Sequence, residues 1–144
     1  MIKRFDFTGE GELDTICDAI LQWKPFPHII TFTGDLGAGK TTLIRHLVQK
    51  MGSEEAAVSP TFGLINEYHC ENGRMICHTD WYRVKSMEEL LDAGMTEYTD
   101  NPQWLVLVEW PEVGADLMAG EQVLSVRIFH GDKNRNYVIS DEAN

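Results

Sequence analysis

Gly34-Asp35-Leu36-Gly37-Ala38-Gly39-Lys40-Thr41 carries the most specific chemistry in the chain. Its spacing, G-x-x-x-x-G-K-T, is that of a phosphate-binding loop. Glycines let the backbone reach positive φ and approach an anion closely, so that successive N–H groups converge on it. Lys40 brings a point charge to the β- and γ-phosphates of a nucleotide, and Thr41 offers a hydroxyl to the accompanying metal ion. The motif is meaningful only between a strand and a helix, and both flanks comply. His28-Ile29-Ile30-Thr31-Phe32-Thr33 is an apolar, β-branched run suited to a buried strand. Leu43, Ile44, Leu47, Val48 and Met51 recur at helical spacing, and Gly52 supplies a stop. That helix aims its partial positive N-terminus at the same phosphates.

Two acids stand at strand ends, where open α/β sheets keep ligand chemistry. Gln103 to Trp110 contains four consecutive apolar residues followed by Glu109, the form of the second nucleotide motif that orients magnesium. It departs from the general form, since the acid is Glu rather than Asp. The next position, often a catalytic Glu, is Trp110, so no strong general base stands beside the metal. In His78-Thr79-Asp80-Trp81-Tyr82-Arg83, Asp80 suits either ligand chemistry or the capping of the next helix. Val58-Ser59-Pro60-Thr61-Phe62 reads as a hydroxyl-rich turn placed like a nucleotide-sensing loop, and equally as a plain ST-turn before proline. Gly131-Asp132-Lys133-Asn134-Arg135 suits a turn that caps a base, and equally a solvated hairpin tip.

Asn72-Gly73 lies between two alternating runs, Phe62 to Cys70 and Met75 to Asp80, and predicts a hairpin with a type I′ turn. That turn pairs Cys70 with Met75, His69 with Ile76 and Tyr68 with Cys77. Cys70 and Cys77 then share one face while His69 and His78 share the other. Four ligands on opposite faces cannot converge on one zinc ion, so these residues read as hairpin filler.

The remaining elements must hold these groups in place. Ile2 to Phe7 reads as a short edge strand. Leu13, Ile16, Cys17, Ile20 and Leu21 form a helical stripe, which makes Cys17 a packing residue rather than a reactive thiol. Ser53 to Ala57 reads as a polar connector. Ser86 and Glu89 form a capping box, and Gly94 ends that helix. Pro111 to Met118 suits a short helix, Val123 to His130 a strand, and Tyr137 to Ser140 a last edge strand. The expected fold is a single α/β domain over residues 1–144: a three-layer P-loop NTPase with a mixed, mostly parallel central sheet containing an antiparallel hairpin.

A chain of 144 residues supports one such core. Its net charge of −11 and pI near 4.7 repel phosphate backbones, which disfavours independent nucleic-acid binding. Three cysteines form no disulfide framework and indicate a reducing compartment. No apolar run approaches a membrane span, so a cytoplasmic protein without membrane contact is expected.

Three phosphate-loop functions compete. A guanine-nucleotide switch needs an Asn/Thr-Lys-x-Asp base reader, and Asp132-Lys133-Asn134-Arg135 is not one. A small-molecule kinase needs an arginine-rich lid over the transferred phosphoryl group, whereas Arg83, Lys85, Lys133 and Arg135 are scattered. An ATPase whose nucleotide state is read by a protein partner fits the missing base and the acidic surface.

Four blocks bear on this choice: Gly34 to Thr42, Ser59-Pro60-Thr61-Phe62, His78 to Arg83, and Glu109-Trp110-Pro111-Glu112. Their order and spacing closely resemble the bacterial TsaE (formerly YjeE) family, across essentially the whole chain. Trp81 departs from that pattern, where leucine is expected, and Gly9 to Gly11 is looser than the family's usual helix start. The resemblance implies an ATPase needed for the threonylcarbamoyladenosine modification of tRNA next to the anticodon. It implies TsaB and TsaD as partners, TsaD being the transferase, with hydrolysis resetting that complex between turnovers and tRNA touched only indirectly. Carried over by residue, it implies that Asp35, Leu36, Gly37, Ala38, Gly39, Lys40, Thr41 and Thr42 bind ATP. Thr41 and Glu109 serve Mg2+, Thr61 senses the γ-phosphate, and Trp110 lies beside the nucleotide. Lys133 and Arg135 are the cations expected near the nucleotide, and Asp80 is the candidate for positioning the attacking water.

Overall fold

Alternation along the apolar runs divides the core between two faces of one sheet. The computed structural model describes residues 1–7, 11–61, 64–132 and 134–142, with backbone alone over 54–61. Its first half runs β1 (Ile2–Phe7), α1 (Glu12–Leu21), β2 (Ile29–Thr33), α2 (Lys40–Lys50), β3 (Ser53–Thr61), β4 (Ile65–Cys70) and β5 (Met75–Asp80). There follow α3 (Met87–Asp92), α4 (Thr96–Thr99), β6 (Trp104–Glu109), a 3-10 helix (Pro111–Met118), β7 (Val123–His130) and β8 (Arg135–Ser140).

Among the described residues the eight strands form one sheet in the order β1-β8-β7-β2-β6-β5-β4-β3. β2 is parallel to β6 and β7, and β5 is parallel to β6. Outside these the ladders are antiparallel. The mixed sheet is therefore parallel at its centre, and antiparallel pairing extends beyond the one expected hairpin onto both flanks. Ile30, Phe32, Leu105 and Leu107 point to the side of α1 and α2, where Ile16, Ile20, Leu43 and Leu47 cover them. Ile29, Val106, Val108 and Cys77 point the other way, against Leu90, Met95 and Trp81. Covered on both faces, β2 and β6 need no alternation of apolar and polar residues. Each such side chain contributes about 1.5–3 kcal/mol by leaving water.

Some local expectations are corrected. Ser53 to Ala57 is not a connector, and Val58 to Thr61 is not a turn; both belong to edge strand β3, which pairs with β4 through shifted registers. An edge strand is where Pro60 costs least, because its missing N–H need not serve a second neighbour. β8 is not an edge, since β1 pairs along its outer side. The hairpin turn is not type I′: Cys70 N–H donates to Arg74 O and Gly73 N–H to Cys70 O, both at 2.9 Å. Gly73 takes φ +85° while Asn72 keeps negative φ, its Oδ1 accepting from Arg74 N–H at 3.0 Å. The loop therefore spans Glu71 to Gly73 and shifts the register by one, pairing His69 with Met75 and Glu67 with Cys77. Cys77 now shares a face with His69, and Cys70 with His78.

Trp81, the departure at a leucine position, is buried, and its Nε1–H donates to Thr79 Oγ1 at 2.8 Å. Its ring lies where a side chain on Gly114 would begin; a Cβ there would clash with the ring and lie 2.7 Å from Leu90 Cδ1. Gly114→Ala is therefore expected to destabilise by about 1–3 kcal/mol through overpacking, read as a lowered thermal midpoint. An unchanged midpoint would show that the Trp81 packing yields freely.

Cys17, Cys70 and Cys77 are free and buried. Burial pushes the Cys17 thiol up to about 12 and raises the other two. Because the thiolate is the reactive form, the native protein should show no fast thiol toward a disulfide reagent at pH 8, and three after denaturation. A fast-reacting native thiol would contradict the packing role of Cys17 and its counterparts.

Candidate functional site

β2 delivers the chain into the phosphate loop at the carboxyl end of the parallel strands, and α2 begins at Lys40. Gly39 takes φ +100°, and a Cβ on it would sit 3.4 Å from the guanidinium of Arg135. A side chain there would be strained by its backbone and crowded by that cation. The loop, the start of α2 and the ends of β5 and β6 enclose a cavity of about 290 Å3. Leu36, Gly37, Gly39, Lys40, Thr41, Thr42, Asp80, Tyr82, Glu109 and Trp110 line it. Two larger hollows, of about 660 and 1010 Å3, offer a phosphate less. The first has four carboxylates and no Lys or Arg in its lining; the second sets Asp80, Glu89 and Asp92 against Arg83 alone. The small cavity joins an ammonium to a helix N-terminus, which is what an anion requires.

Lys40 is 5% exposed, and its Nζ donates to Gly34 O at 2.6 Å and Asp35 O at 3.0 Å. The same ammonium lies 4.3 Å from the centre of the Trp110 ring. Trp110 has φ +57°, and no other non-glycine residue among those described has positive φ. That backbone costs about 1–2 kcal/mol and turns the indole back over the loop, against Tyr82 at 4.9 Å.

Glu109 ends β6 opposite Asp80 and is 3% exposed. Thr41 Oγ1 lies 2.9 and 3.1 Å from its two oxygens, and His78 Nε2 lies 2.7 Å from Oε2. A carboxylate only accepts, so both partners donate. Burial pushes the Glu109 carboxyl up, but hydrogen bonds from His78 and Thr41 and the charges of His78 and Lys40 outweigh it and hold the group below its ordinary range. It is ionised at neutral pH, as coordination of a cation requires.

A family model described as "Threonylcarbamoyl adenosine biosynthesis protein TsaE" matches residues 8–137. The chain belongs to the TsaE family. The "tRNA threonylcarbamoyladenosine biosynthesis protein TsaE" of Haemophilus influenzae is 38% identical over 116 residues, which cover 81% of this chain and 72% of that one. The protein of the same description from Rickettsia conorii is 40% identical over 128 residues, covering 88% and 71%. The crystal structure of Bacillus subtilis YdiB superposes with a TM-score of 0.70 over all of this chain and 88% of that one, at 23% identity. Likeness at that identity concerns the fold, which is of the P-loop NTPase type. No helix among the described residues is long and apolar enough to cross a membrane.

Within this TsaE fold the sequence-predicted residues are not all brought together. Lys40, Thr41, Thr42, Glu109, Trp110 and Asp80 line one cavity. Asp80 is exposed at its rim, where its Oδ1 accepts from Tyr82 N–H at 3.0 Å in an Asx-type turn. Arg135 opens β8 beside Gly39 and donates from Nη1 to Glu12 Oε1 at 3.1 Å. Lys133 lies outside the described residues. Thr61 ends β3 in the row Thr61, Ile65, Thr79, Val108, so its backbone is three strand spacings, about 14 Å, from the strand that carries Glu109.

His78 is the residue that sequence reasoning missed. The signal was available, since a residue two before Asp80 on a strand shares its face. The donor set also suits a particular metal. Thr41 and Glu109 offer hard oxygens, and Mg2+ takes one or two protein oxygens and completes its shell with phosphates and water. Among the described residues no three His, Cys, Asp or Glu gather as a dedicated metal cage would require.

Proposed function

We propose that this TsaE-family protein binds Mg·ATP in the phosphate loop and hydrolyses it slowly alone. It turns ATP over faster when engaged by TsaB and TsaD, and so supports repeated turnover of the threonylcarbamoyl transferase. The observation that carries this reading is the Thr41–Glu109 hydrogen-bonded pair set beside Lys40 in a phosphate-sized cavity.

Lys40 has one donor beyond the two given to Gly34 and Asp35, and its charge serves the β- and γ-phosphates. The loop N–H groups from Asp35 to Gly39, apart from that of Ala38, which donates to Asp35 O at 3.0 Å, and the first turn of α2, with Thr42, hold the remaining phosphate oxygens. Thr41 and Glu109 would hold magnesium, which when bound neutralises charge on the phosphates. Trp110 packs beside the nucleotide, and Arg135, with Lys133, supplies cations on its flank. Asp80, on the cavity wall, orients the attacking water. Thr61 enters as γ-phosphate sensor through the family resemblance alone. With an indole where many ATPases place a carboxylate base, intrinsic turnover is slow. The −11 charge suits a protein listener in the cytoplasm and leaves tRNA to be met indirectly.

The test is phosphate release from Mg·ATP, measured for the protein alone and with purified TsaB and TsaD. Near-zero release alone and clear stimulation by the pair are expected. Fast release alone, or a phosphorylated small molecule appearing in place of phosphate, would overturn the reading in favour of a kinase.

A further inference from the structure

His78 sits in β5 opposite Leu107, on the sheet face that α2 covers, and is 7% exposed. Its Nε2 makes a 2.7 Å hydrogen bond to Glu109 Oε2, while its Nδ1 is buried with no hydrogen-bond partner among the described residues. Leaving a ring nitrogen bare in the core is unfavourable, and an apolar side chain of similar size would avoid it. The single polar contact is thus the feature that a histidine supplies here and a leucine would not. Nε2 is therefore the ring nitrogen that the fold turns toward the carboxylate.

The consequence passes through Glu109 to Thr41. The Thr41 hydroxyl has one proton, and its oxygen is nearly equidistant from both Glu109 oxygens, at 2.9 and 3.1 Å. That proton is therefore committed to the carboxylate, and the lone pairs of Thr41 are left for the cavity. For this arrangement the carboxylate must not rotate, and His78 is its second anchor, from the opposite strand. We propose that His78 is a positioning residue, which fixes Glu109 so that Thr41 and Glu109 together present preoriented oxygens to a magnesium ion. The role deepens the Mg·ATP reading and rests on it.

The test compares His78→Leu, which keeps bulk and loses the donor, with His78→Gln, whose amide N–H replaces Nε2–H. ATP affinity is measured by calorimetry with magnesium and again with EDTA, alongside thermal melts. His78→Leu should bind ATP in EDTA as the natural protein does, because Lys40 and the loop are untouched. Its gain in affinity on adding magnesium should shrink about 10- to 100-fold, in line with the loss of an outer-shell partner, and His78→Gln should regain most of it. If His78→Leu does not fold, His78→Asn, whose shorter amide falls short of Glu109, takes its place with the same expectation. A full magnesium gain in the donor-less variant, or folded His78→Gln as defective as His78→Leu, would overturn the role. No magnesium gain in the natural protein would instead strike at the Mg·ATP reading, and the role would fall with it.

Discussion

Lys40→Ala is expected to weaken ATP binding by about a hundredfold or more, the largest effect of any single change in the phosphate loop. A hydrogen bond to a charged group is worth about 1.5–3 kcal/mol, and one tenfold in affinity is about 1.4 kcal/mol. The one donor that Lys40 has free for phosphate accounts for about ten- to a hundredfold, and losing the attraction of its charge for the β- and γ-phosphates carries the effect to a hundredfold or beyond. The effect on the protein itself is smaller but has a clear origin. The Lys40 ammonium also ties Gly34 O and Asp35 O and sits against the Trp110 ring, so its removal loosens the loop. Calorimetric titration with Mg·ATP checks the prediction, and normal affinity in the variant would remove the phosphate loop as the nucleotide site.

Glu109→Ala is expected to separate binding from hydrolysis. The loop and Lys40 remain, so ATP affinity without magnesium should stay within several-fold, while the gain on adding magnesium should shrink at least as far as in His78→Leu and hydrolysis should fall about a hundredfold with the loss of the metal-facing carboxylate. The variant should also melt lower. Glu109 accepts from both Thr41 and His78, and its removal strands the buried His78 donor at about 1–3 kcal/mol, while the half-buried Thr41 hydroxyl can turn to the cavity. Each kcal/mol corresponds to about 2–4 °C in a domain near this size. Retained hydrolysis would place the metal's acid elsewhere, with Asp80 across the ladder the first candidate.

The elements that hold the site were legible where their signals were local. The glycine spacing and the apolar flanks were enough for β2, the loop and α2, and the stripe from Leu13 to Leu21 was enough for α1. Glu109 was legible because it ends a continuous apolar run. What was not legible depended on pairing between distant segments. Ser53 to Ala57 has no strand pattern of its own, and only β4 makes it one. Tyr137 reads as part of an edge until the first strand of the chain is seen to pair outside it. The hairpin register turned on one side-chain hydrogen bond, from Arg74 N–H to Asn72 Oδ1, which holds Asn72 out of the left-handed conformation. The His78–Glu109 contact joins residues 31 apart and follows from parallel pairing of β5 with β6, which no local pattern encodes. A strong motif elsewhere in the chain, the Asn-Gly hairpin, also drew His78 into the wrong question, that of zinc.

In the proposed mechanism, ATP turnover at this site resets the transferase rather than forming the product bond. The deciding experiment counts threonylcarbamoyladenosine formed on tRNA per TsaD in a reconstituted reaction with TsaB, TsaD and ATP, comparing the natural protein with Glu109→Ala. The natural protein should support many products per TsaD, and the variant should stop near the first. Continued multiple turnover with a variant that no longer hydrolyses ATP would rule the resetting role out.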